Sequence, residues 1–181
     1  MEEIINKALE VLRAGGTLLY PTDTIWGIGC DARNAAAVQK VYAIKERDRA
    51  KSMLVLVEKG KWDAGCGGRP TTYILPRSVW HDKMRLDVAD NLPAEDGTLG
   101  VRMPNHAFCQ ELLQRLGAPI VSTSANLSGR PSPRTYNEIE EELKCRVDWC
   151  VPPLAEFLSG ETSGSRIVKV APDGSETVIR P

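Results

Sequence analysis

The chain has 181 residues, 42% of them apolar, and its 23 basic against 24 acidic side chains leave a formal charge of −1. That is enough apolar material for one substantial core, and too even a balance for a protein whose main task is coating nucleic acid. No run of about 18 apolar residues occurs, and Met1 to Lys7 (MEEIINK) carries carboxylates where a signal peptide would be basic and then apolar, so a cytoplasmic enzyme without membrane attachment is expected.

In chain order, Ile4, Ile5, Ala8, Leu9 and Leu12 fall on one helical face, and Gly15-Gly16 stops that helix before a strand over Thr17 to Tyr20. The strand runs into "LLYPTDTIWGIGCD" (Leu18 to Asp31), where a proline, two threonines around Asp23, and Gly27 and Gly29 read as a polar turn with Trp26 in its core. Asn34 is placed to cap a second helix that turns Val38, Val41 and Tyr42 inward, and "MLVLV" (Met53 to Val57) reads as a buried strand. Glu58 to Pro70, with four glycines, has no period and reads as a loop, and Arg77 to Glu95 is similarly irregular. A strand over Leu99 to Met103, a helix from Asn105 to Gly117 and the strand "PIVSTS" follow. Thr135 and Glu138 have capping-box spacing for a helix carrying Ile139 and Leu143, and "RIVKVAPDGSETVIR" alternates around Asp-Gly as a hairpin does. Interleaved helices and strands closed by an antiparallel hairpin predict a single α/β or α+β domain on a mixed sheet.

Two polar clusters stand out. In "KERDRAKS" the residues Lys45, Arg47, Arg49 and Lys51 alternate, so an extended backbone would aim all four one way as a cationic rail, while the composition alone favours a solvated helix end with favourable dipole placement. In "STSANLSGRPSP" a run of small hydroxyls directly follows an apolar strand, offering short donors to an anion at the strand's carboxyl edge. Neither is a Walker P-loop, since no GxxxxGK[ST] or GxGxxG occurs. The five cysteines (Cys30, Cys66, Cys109, Cys145, Cys150) contain no CxxC pair and only two histidines accompany them, so free thiols are expected and no metal site. Asp23 and Asp31 are the nearest candidates for binding a metal, and their favoured reading is as turn formers.

Together, "YPTDTIWGIGCDA", "KERDRAKSMLVLV", "DGTLGVRMP" and "PIVSTSANLSGRPSP" closely resemble the TsaC/YrdC family, the threonylcarbamoyl-adenylate synthases, in order and from Leu18 to Pro133. The resemblance implies a twisted mixed sheet with flanking helices and a concave, positively charged face. It implies an enzyme that joins L-threonine, bicarbonate and ATP, with Mg²⁺ on the nucleotide, into threonylcarbamoyl-AMP and pyrophosphate. That product serves N6-threonylcarbamoyladenosine formation in tRNA, so it would pass to a tRNA threonylcarbamoyl transferase complex. Weak direct contact with tRNA or double-stranded RNA fits the same basic face.

By the same resemblance, Thr24, Arg102 and Ser122 would take L-threonine. Lys45, Arg47, Lys51, Thr98, Ser124, Asn126, Ser132, Ser165 and Arg180 would take ATP, with Lys45 and Arg47 stabilising charge and no protein nucleophile required. Gly27 and Gly29 would let ligand approach the backbone. The chain departs from the family pattern between Val57 and Asn91, where a short glycine-rich stretch replaces a helix-bearing segment and Pro76 to Asn91 is longer and more charged, with Trp80 and His81 unusual there. The match to the shorter family form, without an extra C-terminal domain, ends at Pro181. Two other readings share these segments: an RNA-binding module of the same fold, which few exposed aromatics support, and a YrdC-like paralogue handling another carbamoyl adenylate.

Overall fold

The computed structural model describes residues 1–48, 53–61, 68–157 and 163–181. Helix α1 (Glu2–Arg13) buries Ile5, Ala8, Leu9 and Leu12, the face expected from their spacing, and Gly15 at φ 74° ends it. Strands β1 (Leu18–Tyr20) and β2 (Gly27–Gly29) follow, then α2 (Ala35–Lys45), whose cap forms as expected: Asn34 accepts a hydrogen bond from the Ala37 amide at 3.0 Å. Next come β3 (Leu54–Leu56), β4 (Thr71–Leu75), the short α3 (Arg77–Trp80), β5 (Leu99–Arg102), α4 (Ala107–Leu116) and β6 (Ile120–Ser124). A 3-10 turn (Tyr136–Glu138), α5 (Glu141–Arg146), β7 (Trp149–Cys150) and a second 3-10 turn (Ala155–Phe157) lead to the closing hairpin of β8 (Arg166–Val170) and β9 (Glu176–Arg180).

The described strands form one mixed sheet in the order β7-β1-β2-β6-β3-β5-β4-β8-β9. The pairs β1/β7, β3/β5 and β4/β8 are parallel and the others antiparallel, so chain-distant segments lie side by side in its middle. One set of alternate residues (Ile28, Val55, Val101, Val121) is buried in a continuous core with Leu12, Val38 and Leu112 of the helices. Gly174 closes the hairpin at φ 87°, its amide donating to the Ala171 carbonyl at 2.9 Å, a conformation that costs glycine no Cβ clash. No helix among the described residues is long and apolar enough to cross a membrane.

Four expectations change here. The stretch read as a polar turn contains β2, because the Gly27–Gly29 backbone pairs on both sides, with β1 and with β6. Gly29 serves that packing and does not line the cavity described below: a Cβ on it would lie 1.7 Å from the Val121 carbonyl oxygen. The Thr135–Glu138 capping box does not form. Glu138 turns back to accept from the Arg134 amide, Thr135 makes no capping bond, and the backbone leaves helical geometry at Ile139 before α5 begins. Thr71–Leu75, between the two irregular stretches, is a full strand. The segment after it packs as well: Val79, Trp80, Met84, Leu86, Ala89 and Leu92 are buried, and the Trp80 indole donates to the Gly97 carbonyl.

Among the described cysteines all four are free, with Cys30 and Cys109 buried. Burial raises both thiols well above the ordinary range, which makes them inert.

Candidate active site

On the sheet face opposite the helix-packed one, alternate residues of five neighbouring strands, with Ile167 of β8 and Arg180 of β9, open into a cavity of about 320 Å³, within the size range of small-molecule sites. Gly27 comes from β2, Leu54 from β3, Thr72 and Ile74 from β4, Gly100 and Arg102 from β5, and Ser122 and Ser124 from β6. The period-2 alternation of strands puts these on one face while their neighbours fill the core.

Arg102 is the most deeply set charge of the cavity lining, 5% exposed. Its Nη1 donates to Thr24 Oγ1 at 2.8 Å and its Nη2 lies 3.4 Å from Asp23 Oδ1. The proton order in this chain follows from its end. Thr22 gives its one hydroxyl hydrogen to the Ile25 carbonyl at 2.8 Å, so across the 3.0 Å contact between the two threonines it is Thr24 that donates to Thr22. Asp23 also receives the Asn105 amide on Oδ2, tying the turn after β1 to the approach of α4. The residues 22–24 thus act as a unit behind the guanidinium.

The cationic cluster is built differently from an extended rail. Lys45 is the last residue of α2, and Glu46 follows in left-handed geometry at φ 49°, so the alternation breaks at its first step. Lys45 turns inward, 1% exposed, and its ammonium donates to the carbonyls of Ser124 and Asn126. It also reaches Asn126 Oδ1 at 3.2 Å. Lys45 is therefore a strut under the loop after β6 and not part of the cavity lining. Burial, and then the Arg47 charge, push its ammonium down to about 7. Arg47, half-buried, does line the cavity, and burial lowers its guanidinium too. Arg49 and Lys51 lie outside the described residues.

Of the hydroxyl run, Ser122, Ser124 and the exposed Ser132 line the cavity. Asn126 does not. Its amide is engaged within its own loop, donating to the carbonyls of Leu127 and Arg130 and accepting from Lys45. Thr98 also lies outside the lining, where its hydroxyl donates to Asp96 Oδ1 at 2.6 Å. From the far end of the chain, Ser165 and Arg180 join the wall, and the Arg180 guanidinium donates to the Ser165 carbonyl.

Thr72 and Trp26 are among the lining residues that the sequence reading missed. Thr72, on the unrecognised β4, shares a 2.7 Å contact with the Ser165 hydroxyl. Trp26, taken for core, is 5% exposed, lines the cavity and packs its ring 4.8 Å from that of Tyr136. The β-branched and aromatic "TTYIL" was the available signal for the first.

The polar side chains of the described lining are guanidinium groups, hydroxyls and the Trp26 indole, with no Asp, Glu, His or Cys. Asp23 is committed to Arg102 and Asn105, and Asp31 to Arg33. No cluster of three metal-ligating side chains occurs among the described residues. Such a surface suits an anionic ligand held by charge-assisted hydrogen bonds.

Residues 10–181 match the model of the Sua5/YciO/YrdC domain, described as telomere recombination. The threonylcarbamoyl-AMP synthase of Pseudomonas fluorescens is 32% identical over 185 residues, covering 98% of this chain and 96% of that protein. The protein of the same name from Photobacterium profundum is 28% identical, covering 97% of each. Among solved structures, P. abyssi Sua5 complexed with L-threonine superposes with a TM-score of 0.78 at 22% identity, covering 98% of this chain and 53% of that one.

Proposed function

This chain belongs to the Sua5/YciO/YrdC family, and from that premise we propose that it is an L-threonylcarbamoyladenylate synthase, a nucleotidyltransferase acting on L-threonine, bicarbonate and ATP. The observation that carries the reading is the composition of one cavity, which brings together a buried guanidinium braced by Thr24 and Asp23, and Arg47 with Ser124 and Ser132. The first group fits an amino-acid carboxylate, which a fixed guanidinium takes in bidentate fashion, and the second fits phosphates.

The reaction asks for no nucleophile from the protein. The threonine amine adds to bicarbonate with loss of water, giving a carbamate. A carbamate oxygen then attacks the α-phosphorus of ATP and pyrophosphate leaves. Alignment and compensation of phosphate charge are what such a step requires, and arginine and hydroxyl groups supply both. Mg²⁺ would enter with ATP as part of the substrate and offset triphosphate charge, since the described lining offers it no carboxylate. In this reading Thr24, Arg102 and Ser122 serve threonine, while Arg47, Ser124, Ser132 and Arg180 serve the nucleotide. Lys45 and Asn126 act by holding the Ser124 loop. The product is consumed in the cytoplasm by a tRNA threonylcarbamoyl transferase complex.

Pyrophosphate release from ATP, with threonine and bicarbonate omitted in turn, tests the proposal. Release that needs both, and that is weaker with serine, is expected; loss of one methyl contact is worth about 1–3 kcal/mol in a fitted pocket. Equal release without an amino acid would overturn it.

A further inference from the structure

Thr72 is 3% exposed and stands on β4 directly opposite Arg102 of β5, both side chains on the cavity face. Directly opposed residues of an antiparallel pair place their Cβ atoms about 4.5–5.5 Å apart, so the hydroxyl and the guanidinium share one corner. Thr72 Oγ1 lies 2.7 Å from Ser165 Oγ, which is itself 4% exposed. Ser165 is held from its other side by Arg180, whose guanidinium donates to the Ser165 carbonyl. The Arg180 guanidinium also packs close against Gly164, where a Cβ would lie 2.9 Å from its Nη2.

Two hydroxyls bonded to each other use one hydrogen between them, and the second remains to be donated elsewhere. Arg102 Nε, also buried, has no hydrogen-bond partner within the described protein. A buried donor without an acceptor is unfavourable, and the described lining contains no carboxylate to supply one. One buried acceptor without a hydrogen bond, Asp23 Oδ1, lies 3.4 Å from Arg102 Nη2 but outside the cavity lining, so on the cavity side the corner presents donors, the complement of a small carboxylate.

We propose that Thr72 is a positioning residue for the amino-acid substrate: it fixes the Ser165 hydroxyl so that the remaining hydrogen of the pair is donated to the carboxylate that Arg102 takes. The inference rests on threonine as the substrate, and it moves Ser165 from the nucleotide to the amino-acid half of the cavity. A β-branched residue suits the task because its χ1 is stiff.

The test uses the full chain with Thr72→Val, which keeps the shape and removes the oxygen, and Thr72→Ser, which returns it. With Thr72→Val the threonine KM should rise about 3- to 10-fold, the span of one net hydrogen bond, with the ATP KM and kcat changed less than about 2-fold. Thr72→Ser should recover most of the loss. Calorimetric titration with L-threonine should show the same ratio without turnover. If Thr72→Val does not fold, Ser165→Ala should give the same threonine-selective rise. Wild-type threonine affinity in Thr72→Val or, failing that, in Ser165→Ala would overturn the inference, as would equal losses for threonine and ATP. A wild-type protein that neither binds threonine nor needs it for pyrophosphate release would instead remove the synthase reading, and this inference with it.

Discussion

Asp23 is a carboxylate in a binding region that does not itself line the cavity. Its position behind Arg102, with side chains 7% and 5% exposed, makes it the counter-charge that lets a guanidinium sit so deep. Breaking a buried pair by neutralising one partner costs about 3–5 kcal/mol, because the other charge is left uncompensated. The 3.4 Å separation and the Thr24 contact put the expected loss for Asp23→Asn at the low end of that range. Asp23→Asn should therefore lower the melting temperature and raise the threonine KM, since Arg102 keeps only its Thr24 anchor, while the ATP KM moves much less. Thermal melts together with steady-state constants for both substrates check this. Parallel rises in both constants would place Arg102 between the two ligands.

At the scale of elements, the C-terminal end of α2 props up the loop after β6. Lys45 donates to two carbonyls and a side-chain amide oxygen across 79 and 81 residues of sequence, and Ser128 returns a bond to the Lys45 carbonyl at 3.0 Å. Lys45→Met would leave those acceptors buried without a donor, at about 1–3 kcal/mol each, and should loosen the Ser124 loop and weaken ATP binding without altering the cavity's arginines. The pH dependence has a definite sign. With its folded value pushed down to about 7 and an unfolded value of about 10.4, the native chain loses this proton above pH 7 while the unfolded chain keeps it. Below pH 7 both states hold it and the full cost of the buried charge is present. The stability gap between wild type and Lys45→Met should therefore widen as pH rises from 7 towards 10. Urea unfolding at pH 6.5 and pH 9 measures it, and a narrowing gap would show that the carbonyl acceptors outweigh burial.

The whole molecule assembles the cavity from residues as far apart as Thr24 and Arg180, carried on strands from β2 to β9 of one sheet. No short segment holds the site, so ligand occupancy is linked to folding of the entire sheet. ATP at 100 times its dissociation constant should stabilise the protein by about 2.7 kcal/mol. That gain should shift the single transition seen by far-UV circular dichroism and by fluorescence of the buried Trp26 and Trp80 together. Separate movement of the two probes would mean that part of the sheet unfolds on its own.

The helices α1 and α4, the Asn34 cap and the closing hairpin were legible along the chain because each depends on near neighbours: apolar spacing, a side chain reaching three residues on, a turn residue at the right place. The family was likewise written in ordered local motifs, and several of those segments line the cavity. What the linear pattern could not fix was direction. Lys45 and Arg47 are two residues apart, yet one enters the interior and the other the cavity, because Glu46 takes a left-handed backbone that closes α2. Gly29 looked like room for a ligand and is instead room for the Val121 carbonyl, which only the antiparallel pairing of β2 with β6 brings there. Thr72 gained its significance from Arg102 across the ladder and Ser165 before β8. Such partners are chosen by strand order, a long-range outcome of closing one hydrophobic core, and no window of sequence contains it.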